Sequence, residues 1–65
     1  MANYQIYRLD GLGRLTRGER FDAEDDEAAI AAARKLRGQG ACELWCGGRI
    51  VGRFSRLGEF SRDAS

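Results

Sequence analysis

At 65 residues the chain has room for one small domain, and a formal net charge of +1 gives it no strong pull on polyanions or acidic membranes. Hydrophobic residues at 43% and charged residues at 32% suit a globular domain and exclude a disordered one. No apolar run approaches the roughly 18 residues of a membrane span, and "MANYQIYRLD" lacks the basic-then-apolar start of a signal peptide, so the expected location is cytoplasmic.

The first element is "YQIYRLD", rich in β-formers, which predicts a strand over 3–9. It ends at the turn cluster "DGLG", and "RLTRGERF" then supplies a second strand near 14–21, with Gly18 marking a bulge. The alanine-rich run "DDEAAIAAARKLRGQG" predicts a helix. Asp25 is the preferred N-cap and Asp22 the alternative, while Gly38 suits the left-handed position after a helix that ends near Arg37. Acids at the helix start and Arg34, Lys35 and Arg37 at its end complement the helix dipole. Helix-start chemistry therefore explains the acidic run better than a metal site does, because consecutive acids on a helix diverge around its axis. Ala29, Ile30, Ala33 and Leu36 share one narrow face, which should lie close against a sheet.

Two further strands, near 41–46 and 49–54, are joined around Gly47-Gly48. Beyond Phe54 the sequence loses periodicity. The expected domain is 1–55, followed by a flexible tail over 56–65 with Leu57 and Phe60 as its docking groups.

Cys42 and Cys46 in one strand lie about 13 Å apart, too far for a bridge that needs Cα atoms within about 7 Å. The chain has two Cys and no His, short of the usual zinc ligand set. No metal and no cofactor is expected. Parity then sorts the hairpin. With an odd loop, Cys42, Leu44, Ile50, Gly52 and Phe54 share the face toward the helix, and Glu43, Trp45, Arg49, Val51 and Arg53 share the other. A two-residue loop would put Arg49 and Arg53 beside Leu44, a poor core. The expected core is Leu44, Ile50, Phe54, Ile30, Ala33, Leu36 and Phe21, with Leu15 and one face of the first strand.

The first strand, the alanine-rich helix and the hairpin together carry a resemblance. Tyr4, Ile6, Leu9 and Asp10, then "AEDDEAAIAAAR", then "ELW" followed by "RIV", resemble short uncharacterised bacterial proteins of ββαββ type, domains of unknown function. The resemblance covers most of 4–54 and implies a fold, with no activity attached.

The fold class expected is α+β, a four-stranded sheet in ββαββ order with one helix packed on one face. A β-grasp-like order, first and last strands parallel and adjacent, is preferred over a wholly antiparallel one. One helix covers one face, so Trp45 and a tyrosine of the first strand remain on the other. That face is the expected interaction surface: Trp45, Val51, Arg49 and Arg53, with Tyr4 or Tyr7. Without His, no Ser/His/Asp or Cys/His machinery exists, and a chain this small has little room for a cleft; no catalytic residue and no small-molecule substrate is expected. The leading reading is a non-enzymatic protein-interaction module, a homodimer or a binder of another protein. The alternative is a single-stranded nucleic-acid-binding module using Trp45 with Arg49 and Arg53. Against it stand the near-zero charge, and the simpler roles of an arginine packed over Trp45 or paired with Glu43.

Overall fold

The computed structural model describes residues 1–16, 18–38 and 40–62. Its elements are β1 (Ala2–Leu9), β2 (Leu15–Thr16), β3 (Arg20–Ala23), α1 (Asp26–Leu36), β4 (Cys42–Cys46), β5 (Arg49–Phe54) and β6 (Phe60–Arg62). The α+β class holds: one helix packs against an antiparallel sheet, which has six strands rather than four.

The first hairpin forms where turn chemistry placed it. Asp10 accepts the backbone N–H of Leu12 at 2.8 Å and of Arg14 at 2.9 Å, while Gly13 takes a φ of 79°. The returning strand is split. β2 pairs with Arg8 and Leu9 and β3 with Ala2 to Gln5, both antiparallel to β1. β4 pairs with Tyr4 to Arg8, so β2 and β3 share the opposite edge of β1. The break lies around Gly18, where the Ile6 N–H still reaches Glu19 O at 2.9 Å. A Cβ on Gly18 would land on the Ile6 carbonyl, so the two backbones approach closely here because the residue is glycine.

The helix ends match their local signals. Asp25 is extended (φ −156°) and its carboxylate accepts the Ala28 N–H at 2.8 Å; Arg37 is the C-cap, and Gly38 follows at φ 65°. Ala29, Ile30 and Ala33 are buried against the sheet and Leu36 is partly so. The helix packs on a core drawn from β1, β3, β4 and β5, and the chain leaving it enters the sheet as β4 beside β1. The β-grasp-like order is therefore not found. The order is β2-β1-β4-β5-β6, with β3 beside β1, and every pair is antiparallel. The wholly antiparallel alternative is the nearer description.

The second hairpin departs from the odd-loop parity for a specific reason. Cys46 pairs with Arg49 across a two-residue turn at Gly47-Gly48, in which Gly47 takes φ 61°. A bulge then restores the register: Trp45 faces Ile50, Leu44 faces Gly52, and Val51 is the extra residue. Gly52 and Phe54 keep their expected side, but the residues before the bulge change places. Val51 is buried in the core, Ile50 moves out beside Trp45, and Arg49 goes to the helix side.

The buried core comprises Tyr4, Ile6, Ala23, Ala29, Ile30, Ala33, Cys42, Leu44, Val51 and Phe54. Leu15, expected inside, is 51% exposed. The tail also differs. Phe60–Arg62 forms β6 on β5, and Phe60 packs on Phe54 with ring centroids 4.9 Å apart. Gly52 makes room for this, since a Cβ there would meet the Phe60 ring and Ser61 O. Leu57 does not dock and stays 85% exposed; tail residues 63–65 lie outside the described residues. Among the described residues, no helix is long and apolar enough to cross a membrane.

Candidate functional site

Strand pairing fixes which side chains share the face opposite α1. Tyr4 and Ile6 of β1 are buried beneath the helix, so alternation sends Gln5, Tyr7 and Leu9 to the other side. Across the sheet, Arg20, Gln5, Trp45 and Ile50 form one row, and Tyr7, Glu43, Arg53 and Ser61 form the next. Tyr7 and Trp45 sit diagonally, 6.3 Å between ring centroids and at 87°, an edge-to-face pair. Both are half-buried with no second layer over them among the described residues.

The polar atoms of this face are satisfied from within it. Trp45 Nε1 donates to Glu43 Oε1 at 3.1 Å, and Arg53 Nε lies 3.4 Å from Glu43 Oε2. The Tyr7 hydroxyl donates to Gln5 Oε1. The rings consequently present apolar surface while their donors are already occupied. A groove of about 830 Å³ runs along this face, lined by Gln5, Tyr7, Leu15, Arg20, Trp45 and Gly47 among others.

The structure thus brings Trp45, Tyr7 and Arg53 together and removes three residues expected with them. Tyr4 is 2% exposed, stacked on Phe21, with its hydroxyl donating to Asp26 Oδ1 at 2.8 Å. Val51 is buried by the bulge. Arg49 donates to both Asp26 carboxylate oxygens, at 3.2 and 3.1 Å, on the helix side of the sheet. The pairing of Arg53 with Glu43 agrees with the cross-strand pair weighed above. Sequence reasoning missed Ile50, because its side depends on the bulge, and Gln5, whose role appears only once Tyr7 is placed.

Four of the five acids at the helix start are engaged separately. Asp25 caps α1, Asp22 accepts from Asn3 at 3.3 Å, Asp26 holds Tyr4 and Arg49, and Glu27 pairs with Arg62. Among the described residues no group of three or more Cys, Asp or Glu is placed to hold a metal ion. Cys42 and Cys46 are free thiols, Cys42 buried in the core and pushed up in pKa by that burial.

Asp26 gives a pH prediction. The Arg49 guanidinium first, and the Tyr4 hydroxyl next, hold its carboxyl below the ordinary 3.8. The unfolded state therefore binds the proton more readily than the folded one. The stabilisation is fully present above the ordinary value and is lost as pH falls through the depressed one. Asp10, held down by the N–H groups of Arg14 and Leu12, acts with the same sign. Urea midpoints should decline from about pH 4 toward pH 2, and Asp26→Asn should flatten part of that decline. An unchanged slope in the variant would contradict the assignment.

No family model, curated protein or solved structure matches the chain.

Proposed function

We propose that the protein is a non-enzymatic interaction module that self-associates through the sheet face opposite α1. The observation that carries this reading is the Tyr7–Trp45 pair, flanked by Ile50, with its donors satisfied by Gln5 and Glu43. Covering such a face removes apolar area from water without orphaning a polar group, so the usual cost of burying tryptophan and tyrosine is small. The charges suit a second copy. Arg20 and Arg53 are matched by Asp22 and Glu43 on the same face, so two copies meet with no net like charge. Five strand positions and an eight-residue β1 give a face of at most roughly 20 by 25 Å, about 500 Å², at ordinary strand spacings, which suits a weak, concentration-dependent interface below the standard size of about 800 Å² per partner. A second copy would supply the other core layer that a small domain lacks.

Trp45→Ala tests this directly. It should weaken self-association about 30-fold, the effect of losing a central aromatic anchor, while far-UV circular dichroism stays unchanged. Arg53→Glu, which sets like charges beside Glu43 in both copies, should weaken it as well. Unfolding of the monomer by Trp45→Ala, or association indifferent to both changes, would overturn the reading.

A further inference from the structure

The opposite end of the molecule, where α1 finishes, carries a second feature independent of the open sheet face. Arg37 ends the helix, but its side chain does more than complement the dipole. Its Nη1 donates to Gly40 O at 3.3 Å, and the guanidinium lies so close to Gly58 that a Cβ there would collide with it. Its Nε is buried and, among the described residues, has no acceptor. An unmatched donor on a charged group is costly to bury, and here Nε is enclosed beside Gly58, so only the outer guanidinium nitrogens of Arg37 can meet a ligand.

Arg34 approaches the same turn, donating to Gly58 O at 3.0 Å with its guanidinium carbon 5.4 Å from the centre of the Phe54 ring. Arg56, in the turn between β5 and β6, lines a cavity of about 450 Å³ together with Arg37, Gly38 and Gly40. Among the described residues, Arg34, Arg37 and Arg56 have no carboxylate within 4.0 Å, whereas Arg8, Arg14, Arg49, Arg53 and Arg62 do. Arg37 and Arg56 thus line the cavity without a counter-charge, and Arg34 and Arg37 spend one donor each on the Gly58 and Gly40 carbonyls. The negative end of the helix dipole would oppose an anion here, but Arg8 occupies it, donating to Leu36 O at 2.8 Å and Arg37 O at 3.5 Å.

We propose that the cavity between Arg37 and Arg56 binds a phosphate-type oxyanion. Planar guanidinium forks match tetrahedral oxyanions in geometry, and two arginines match a dianion in charge. Gly38 and Gly40 leave the wall open, with nothing within 4 Å of a Cβ built on either.

The test is a titration of the full chain with inorganic phosphate, followed by the arginine Nε–Hε and backbone amide NMR signals. Sodium chloride at matched ionic strength is the control, and a phosphomonoester such as O-phosphoserine forms a second arm. The expected result is saturable shifts at Arg37 and Arg56 with phosphate and none with chloride. Arg56→Gln, on an exposed side chain, should weaken binding about tenfold by removing one charge-assisted contact. Tighter binding of the ester would indicate a phosphate group carried on a larger molecule, and equal binding would indicate free phosphate. Shifts that never saturate, that follow ionic strength alone, that map to Arg20 and Arg53 instead, or that survive Arg56→Gln would overturn the proposal.

Discussion

Leu44→Ala is expected to bring the protein close to unfolding. Leu44 is 0% exposed, at the centre of the sheet, with Ile6 on one side and Gly52 on the other. Truncating a buried leucine costs about 3–5 kcal/mol, because lost transfer energy adds to the cavity left behind. A domain of this size has roughly 3–10 kcal/mol of stability in total, at about 0.05–0.15 kcal/mol per residue. The Phe60 ring over Gly52 is the nearby group that could shift toward the gap, and how far it does so sets where in this range the cost falls. Urea unfolding followed by the fluorescence of Trp45, the sole tryptophan, measures the effect at fixed protein concentration. A midpoint lowered by a third or more is expected. A loss below about 1 kcal/mol, the range of a surface substitution, would mean that Leu44 is not at the centre of the core.

Gly18→Ala should be nearly as damaging without touching the hydrophobic core. The added Cβ falls on the Ile6 carbonyl, a backbone atom with no freedom to swing away. Relief requires β1 and the split strand to separate, which sacrifices the Ile6 N–H to Glu19 O bond at 2.9 Å. Overpacking of about 1–3 kcal/mol then combines with about 1–3 kcal/mol for an N–H left unpaired. Gly11→Ala is the matched control, since a Cβ there meets nothing within 4 Å. Amide exchange should speed up across β1 and β3 in the Gly18 variant and remain unchanged in the Gly11 variant. Equal behaviour of the two variants would sink the close-approach account.

Both substitutions bear on how much of the fold could be read from the chain. Asp25, Gly38 and the Asp10 turn act through backbone groups within four residues, so local chemistry was enough to place them. Gly18 was also legible as an irregularity, because a glycine inside a strand pattern usually serves a close contact. The strand order was not legible. Whether β4 lies beside β1 is decided by pairings between residues about 40 apart in the chain, such as Ile6 with Leu44, which no local pattern reports. β6 escaped notice because three residues show no periodicity, and Phe60 finds its place only through the space above Gly52.

The candidate surface shows the same division. Trp45 and Glu43 share a side by simple alternation, and so do Glu43 and Arg53 once they pair. Val51, Arg49 and Ile50 lie on the sides opposite to those that plain alternation predicts, because one bulged residue reverses the parity between it and the turn. Two-residue alternation also placed Tyr4 and Tyr7 on opposite faces, and only the helix decides which of them is covered. The two arginine roles separated in consequence: Arg53 stays beside the rings, while Arg49 ties β5 to the helix start through Asp26. Arg20, rather than Arg49, is the second arginine on the face that carries Trp45.

The most direct test of the proposed role is the solution mass by light scattering after size exclusion, from micromolar to millimolar protein. Self-association through the open face predicts a mass that rises with concentration from 7.2 kDa toward twice that value, and a Trp45→Ala variant that stays near 7.2 kDa throughout. A wild-type mass fixed at 7.2 kDa over the whole range would contradict the account.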